Sequence, residues 1–245
     1  CIDSFYIQGS DIITILSKST ILSDTKRLIK ETALNLIGTE ISEEFSNRIT
    51  IRILVDPIKF PLAKLIKRIY ILVSSMHTDA MKSFQDCDEV LAEDVINREK
   101  EVSKLYFLML RQLNLSLNHR LNIEDICTST FKIDCVLGVI LARELSKMAH
   151  YATEIAKQSI RLKDINIEPG LKEGLMIMSR FISKMQQNAI LAFFKEDFLR
   201  ANKILNSTQQ IIECNLKSEN KILKTIKNVN ITLDLITISR SLRNI

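Results

Sequence analysis

The chain has 245 residues, 46% hydrophobic and 26% charged, with a net charge of +5. That length supports one large or two small domains with real cores. Only 5 Gly, 3 Pro and no Trp are present, which favours long helices over sheets and leaves few glycines for a phosphate-cradling loop.

Residues 1–56 read as a small α/β segment. Ile12-Ile13-Thr14-Ile15-Leu16 follows Gly9-Ser10 as a short β-branched run, the pattern of a buried strand. Ser23-Asp24 is placed to cap a helix carrying Leu28, Ile29, Ala33, Leu36 and Ile37 that stops at Gly38. Ile49, Ile51, Ile53 and Val55 then alternate with Thr50, Arg52 and Leu54, the period-two pattern of a strand with one buried face. Glu40 to Phe45 suits its hairpin partner across Ser46-Asn47.

Asp56-Pro57 and Pro61 punctuate the start of a long helix, since proline is tolerated in a first turn. Its apolar stripe is Leu62, Leu65, Ile69, Leu72, Met76 and Ala80. A second helix shows Leu91, Val95, Val102, Leu105 and Met109, interrupted by Arg98. After a polar link near 118–130, a third carries Leu141, Leu145, Met148, Ala152 and Ile155. Glu168-Pro169-Gly170 breaks the chain and the pattern starts again. Leu175, Met178, Ile182, Met185, Ala189 and Ala192 stripe a first helix, and Ala201, Ile204, Thr208 and Ile211 a second. Ile222, Ile226, Val229, Leu233 and Ile236 stripe a third, with Asn220 or Asn230 as weak points.

The restart is a true internal repeat. A shift of 109 residues carries Met76, Ala80, Phe84, Asp88, Ala92 and Asn97 onto Met185, Ala189, Phe193, Asp197, Ala201 and Asn206 without a gap. The expected fold is mainly α: two tandem three-helix bundles, at 57–163 and 164–245, preceded by the small α/β segment at 1–56. The chain does not begin with Met and ends at Ile245 inside an apolar-periodic segment, so it reads as a fragment cut at both ends.

The longest wholly apolar run is 136–142, far short of the roughly 20 residues a membrane span needs. No secretory leader is visible, and membrane insertion is not expected. Five scattered cysteines, with no Cys-x-x-Cys pair, read as reduced thiols of an intracellular, cytoplasmic protein. No Ser or Cys has an evident base and no glycine-rich loop precedes a Lys, so the chain reads as a non-enzyme with no cofactor.

Four features remain as candidates. Asp88 and Asp197 occupy equivalent places before a second helix, where an acid accepts from free N–H groups and suits the helix dipole. Asn97 and Asn206 could bond across a bundle or stay solvated. His150 and Glu154 lie one helical turn apart and could hold a divalent metal from one face, or form an ordinary exposed pair. Lys217, Lys221 and Lys224 recur at steps of four and three near Lys227. That face could dock phosphates or an acidic protein surface, or simply be the solvated side of the bundle. Residues 200–245 hold 8 Lys/Arg against 3 Asp/Glu, so this stretch carries the whole net charge.

Tyr6–Ile15, Leu36–Glu44, Arg48–Leu62 and Ala92–Leu113 together resemble the PhoU family of phosphate-uptake regulators. The likeness is to its archaeal type, in which an AbrB-like DNA-binding hairpin precedes an α/β linker and two PhoU repeats. The resemblance implies a cytoplasmic regulator of phosphate homeostasis that dimerises. Its implied partner is a phosphate ABC transporter ATPase or a signalling protein. It also implies an alternative, a transcription regulator that binds DNA only through an N-terminal domain missing here. The family's metal motif, Glu-x-x-x-Asp on each third helix, is rewritten in SKMAHYATEIAK: Ser146 stands at the Glu position and His150 at the Asp position. In the second repeat Arg243 stands at the Glu position. His150 with Glu154 is therefore the residual metal candidate, and Lys217, Lys221, Lys224 and Lys227 the partner-binding candidate.

Overall fold

A computed structural model describes residues 2–127 and 132–245. The part of the expected polar link at 128–131 and Cys1 lie outside the described residues. The chain is mainly helical, with a three-stranded sheet near its start, and divides into two compact units: residues 1–69 with 100–144, and residues 70–99 with 145–245.

The first unit opens with a short helix, α1 (Ile2–Ile7), which the sequence did not announce. Then come β1 (Ile12–Leu16), α2 (Ser23–Leu34), β2 (Thr39–Glu44) and β3 (Arg48–Ile53). The strands pair antiparallel in the order β1-β3-β2, with Ile13 opposite Ile51 and Ile41 also opposite Ile51. The period-two reading of 49–53 holds: Ile49, Ile51 and Ile53 are buried and share a core with Tyr6, Ile13, Ile29, Ala33 and Leu36. Two details of α2 differ from expectation. Its N-cap is Leu22 with no side-chain cap, so Ser23 and Asp24 lie inside the first turn. Leu28 points to solvent, and the helix ends at Leu34, short of Gly38. Gly38 instead serves the turn into β2: its φ is +75°, and a Cβ there would sit 2.5 Å from Val55.

After a 3-10 turn at Pro57–Lys59, the long helices follow: α3 (Leu62–Asp86), α4 (Glu89–Leu117), a short α5 (Ile123–Ile126) and α6 (Lys132–Leu162). The boundary between the units runs through α3, α4 and α6. In the first unit, the 100–120 segment is bound to the α/β core. Arg111 is buried and donates to the Tyr6 carbonyl (3.0 Å), the Ser10 carbonyl (2.7 Å) and Asp11 Oδ1 (2.9 Å). Gln112 donates to the carbonyls of Pro57 (2.8 Å) and Phe60 (2.7 Å), and Asn114 to that of Ile7 (3.0 Å). Arg120 reaches the Gly9 carbonyl (2.6 Å) and pairs with Asp11. Arg111 Nε is buried without a partner, but the other buried donors meet carbonyls or the Asp11 carboxylate, which offsets most of the desolvation cost and makes the dock specific.

The second unit holds the ends of α3, α4 and α6 together with α7 (Pro169–Lys195), α8 (Phe198–Thr225) and α9 (Val229–Asn244). Val73, Met76, Ala80, Phe84, Val95, Ala152 and Ile155 are buried, as are Leu175, Met178, Ile182, Leu235, Ile238 and Leu242. These stripes are what a helix needs to pack along its length. Two expectations on α7 are corrected: Met185 is only half-buried and Ala189 is exposed, although their counterparts Met76 and Ala80 are fully buried. The boundary between the last two helices also moves. Ile222 belongs to α8, which runs to Thr225, and α9 begins at Val229 under an Asn228 cap that accepts from Asn230 and Ile231 N–H. The continuous apolar pattern through 222–229 hides that break from the sequence.

The reading of all cysteines as reduced thiols is corrected for one pair. Cys127 and Cys135 are joined as a disulfide, with Cα atoms 6.1 Å apart. The two lie eight residues apart in sequence, and that spacing alone does not reveal the approach. Cys87 and Cys214 are free and exposed. No helix among the described residues is long and apolar enough to cross a membrane.

Candidate functional site

The repeated turn is reproduced atom for atom in the two repeats. α3 ends on Cys87 at φ +57°, and α7 ends on Glu196 at φ +53°, its counterpart at a shift of 109. The next residue closes the helix end in both: Asp88 N–H donates to the Ser83 carbonyl, and Asp197 N–H to the Ala192 carbonyl, each at 3.0 Å. Both bonds satisfy carbonyls that a helix end leaves open. Asp88 then accepts from Leu91 N–H at 3.0 Å and Asp197 from Arg200 N–H at 2.9 Å. Both acids are caps. Asn97 and Asn206 are exposed, so neither bonds across a bundle core.

His150 lies on α6 with Nδ1 3.1 Å from Glu99 Oε1 of α4. Glu154, one turn on, is held by Lys157 Nζ at 2.7 Å. The two candidate ligands thus have separate partners. Ser146 offers no carboxylate, and Arg243, at the other motif position, donates to Asn215 Oδ1 at 3.3 Å. Among the described residues no group of three or more His, Cys, Asp or Glu side chains could hold a metal ion. These donors do not fit the carboxylate clusters that the family resemblance implies.

Near the same place an arginine sits between acids instead. Arg98, which interrupts the α4 stripe, lies 2.6 Å from Asp79 and 2.9 Å from Asp94 and bonds the Ser75 hydroxyl. The interruption is a half-buried ion-pair network between α3 and α4.

Lys217, Lys221 and Lys224 are exposed along the last turns of α8. Lys227 is exposed too but lies past the helix end, in the link to α9. Of the four, only Lys221 makes an ion pair among the described residues, with Glu168 at 3.5 Å. Beside these lysines, α8 leaves Phe198, Leu205, Ile212, Leu216 and Leu223 exposed. Sequence reasoning missed that stripe, although its helical spacing was there to be read.

His77 was also missed. It is fully buried on α3, with Nε2 3.0 Å from Ser179 Oγ and Nδ1 3.4 Å from both Ser183 Oγ and Gln186 Nε2 of α7. Burial pulls its pKa down to about 4, against a smaller upward effect of the Gln186 hydrogen bond, and so keeps the ring neutral. Gln186 is the residue onto which His77 falls at the 109-residue shift, so the first helices of the two repeats meet at equivalent positions. An open groove lined by Gln158, Arg161, Asn230, Leu233, Asp234 and Thr237 lies between α6 and α9, with Arg161 3.5 Å from Asp234.

Comparison with known proteins agrees with this architecture. Residues 66–159 match the PhoU domain. The chain is similar to the crystal structure of PhoU from Pseudomonas aeruginosa, with a TM-score of 0.64 and 15% identity over 75% of this chain and 87% of that one. It is also similar to the phosphate transport system regulatory protein PhoU from Streptococcus pneumoniae, with a TM-score of 0.63 and 18% identity over 75% and 85%. At these identities the likeness is one of fold. No curated protein matches the chain in sequence. Residues 66–159 are thus a PhoU domain, within a chain whose fold resembles that of PhoU proteins.

Proposed function

We propose that this chain regulates phosphate uptake by binding other proteins, as a cytoplasmic homodimer that catalyses no reaction of its own. The observation that carries the reading is the PhoU domain at 66–159. The fold likeness to a phosphate transport system regulatory protein supports it. The partner is the ATPase of a phosphate ABC transporter or a signalling protein coupled to it. The face for that partner is the basic one at Lys217, Lys221, Lys224 and Lys227, exposed and little neutralised within the chain. A cationic face of this kind steers an acidic partner and sets the salt dependence of its approach. The bundles at 57–163 and 164–245 are the repeats of the fold. His150 and Glu154 remain the residual metal candidate, each with its own partner, Glu99 and Lys157.

The test is capture of the transporter ATPase by the full chain. The wild type retains the ATPase at low salt, and the Lys217→Glu/Lys224→Glu double variant loses at least about tenfold in retention. A wild-type chain that captures neither the ATPase nor a phosphate-signalling protein overturns the reading.

A further inference from the structure

On the outer side of α8, Phe198, Leu205, Ile212, Leu216 and Leu223 are 79%, 68%, 39%, 51% and 58% exposed. Their spacing of seven, seven, four and seven residues keeps all five within a narrow stripe on a 3.6-residue helix. The stripe is about 38 Å long at 1.5 Å per residue. Single exposed apolar residues need no explanation, but a continuous line of them marks an interaction surface.

The matching helix of the first repeat shows what such a face does. A shift of 109 residues carries α8 onto α4 from end to end. There the counterparts of Leu216 and Leu223 are Phe107 and Asn114. Phe107 packs against the core of the α/β segment, and Asn114 donates to the Ile7 carbonyl. The counterparts of Lys217, Lys221 and Lys224 are Leu108, Gln112 and Leu115, all buried. Leu115 comes so close to Gly9 that a Cβ there would lie 2.9 Å from it. The covering segment presents Arg111 and Asn114 of this helix with oxygen acceptors: the carbonyls of Tyr6, Ile7 and Ser10, and the Asp11 carboxylate. In the first repeat, then, this side of the second helix holds an apolar and electronegative partner.

We infer that α8 of the second repeat docks an acidic amphipathic helix of a partner protein, whose apolar side covers Ile212, Leu216 and Leu223 while its carboxylates meet Lys217, Lys221 and Lys224. This names the chemistry of the partner in the function proposed above and rests on that reading. Charge selects the occupant. α8 carries Arg200, Lys203, Lys217, Lys221 and Lys224 against Glu213 and Glu219, and Glu219 is already held by Arg240. A second copy of α8 would set cation against cation in either orientation, whereas an acidic helix is complementary along the whole C-terminal half. The docking mode is a helix laid on an apolar stripe, read out by anchors one or two turns apart.

The experiment titrates the full chain against a fluorescein-labelled amphipathic peptide of about 20 residues, leucines on one face and glutamates beside them. A twin peptide with lysines in place of the glutamates is the control. The acidic peptide binds the wild type, and the twin binds at least about tenfold more weakly. Ile212→Glu/Leu216→Glu and Lys217→Glu/Lys224→Glu, all at exposed sites, each weaken the acidic peptide at least about tenfold. Circular dichroism confirms that the variants fold. Failure of the acidic peptide to bind, or binding that ignores both variants, overturns the proposal. Equal binding of the two peptides does the same, as does a dimer in light scattering that Ile212→Glu/Leu216→Glu turns into a monomer. Capture of the transporter ATPase that survives these variants sinks the α8 assignment while leaving the proposed function standing; loss of capture by the wild type does the reverse when peptide binding persists.

Discussion

Residues 100–117 of α4 and 209–225 of α8 are the same half of the same helix in the two repeats, and their surroundings are opposite. In α4, Leu108, Arg111, Gln112 and Leu115 are buried. In α8 the residues at those places are Lys217, Asn220, Lys221 and Lys224, all exposed. The turn that starts each helix is built alike in both repeats, with a left-handed residue and an Asp cap at equivalent positions. The difference teaches that the duplicated scaffold keeps its turns and varies its outer side. One repeat uses that side internally, to hold the α/β segment, and the other leaves it charged, apolar and open.

The sharpest way to test the contrast is to cut the same position in both helices. Arg111→Ala leaves the Ser10 carbonyl and Asp11 Oδ1 without this donor, while the Tyr6 carbonyl keeps Gly9 N–H and the Asp11 carboxylate keeps Arg120. Breaking a buried pair from one side costs about 3–5 kcal/mol. Asp11 is more than half exposed and stays paired with Arg120, so the lower end, about 3 kcal/mol, is expected. Its counterpart Asn220→Ala is exposed and is expected to change stability by less than about 0.5 kcal/mol. Urea unfolding of the two variants measures both numbers. Equal losses would mean that α4 is not held as a dock.

A second pair sharpens the comparison with protons. His77 and Gln186 stand at equivalent positions and face each other, but only the histidine titrates. Its folded pKa of about 4 lies below the ordinary 6.5. Between those values the unfolded chain takes up a proton that the folded chain refuses. Stability is therefore whole above about pH 6.5 and declines as pH falls towards the folded value, by about 2 kcal/mol between about pH 7.5 and pH 5. The groups facing the ring, Ser179, Ser183 and Gln186, do not titrate in that range. His77→Gln gives the first repeat the second repeat's amide, and the decline should flatten by that amount in acid-to-neutral urea titrations. An unchanged slope would show that the ring takes up its proton as readily in the fold as in the unfolded chain.

How far these features were readable from the sequence depends on whether they leave a local pattern. The strand at 48–53 was readable because Ile49, Ile51 and Ile53 alternate, and the bundle because its stripes run for many turns. The turn was readable because the chain contains it twice. The break between α8 and α9 was not, since Ile222 and Ile226 continue the period across it. Helix α1 has six residues, too few for any periodicity. The candidate site was the least readable part. An apolar residue at helical spacing looks the same whether covered, as Phe107 is, or bare, as Leu216 is. Likewise Arg111 and Lys217 are both cations on a long helix, and only the fold shows that one is buried among carbonyls and the other open to a partner.

The smallest effect tests the part of the comparison that should show no difference. Asp88 and Asp197 each accept one backbone N–H at the start of their helices, at 3.0 and 2.9 Å. Each also sits at the positive end of a helix dipole, which favours its charge. Removing a cap of this kind costs about 1 kcal/mol. Asp197 has a second contact, an ion pair with Arg200 at 3.5 Å, but it is a partly exposed pair within one turn and adds only a few tenths of a kcal/mol. Asp88→Ala and Asp197→Ala should therefore lose nearly equal stability in urea unfolding, and the double variant about the sum, because the sites lie on different helices with no partner in common. Asn in either place should restore most of the loss, since its side-chain oxygen accepts the same N–H. A loss at one site several times that at the other, or a loss that Asn fails to rescue, would show that one of the two acids does more than cap.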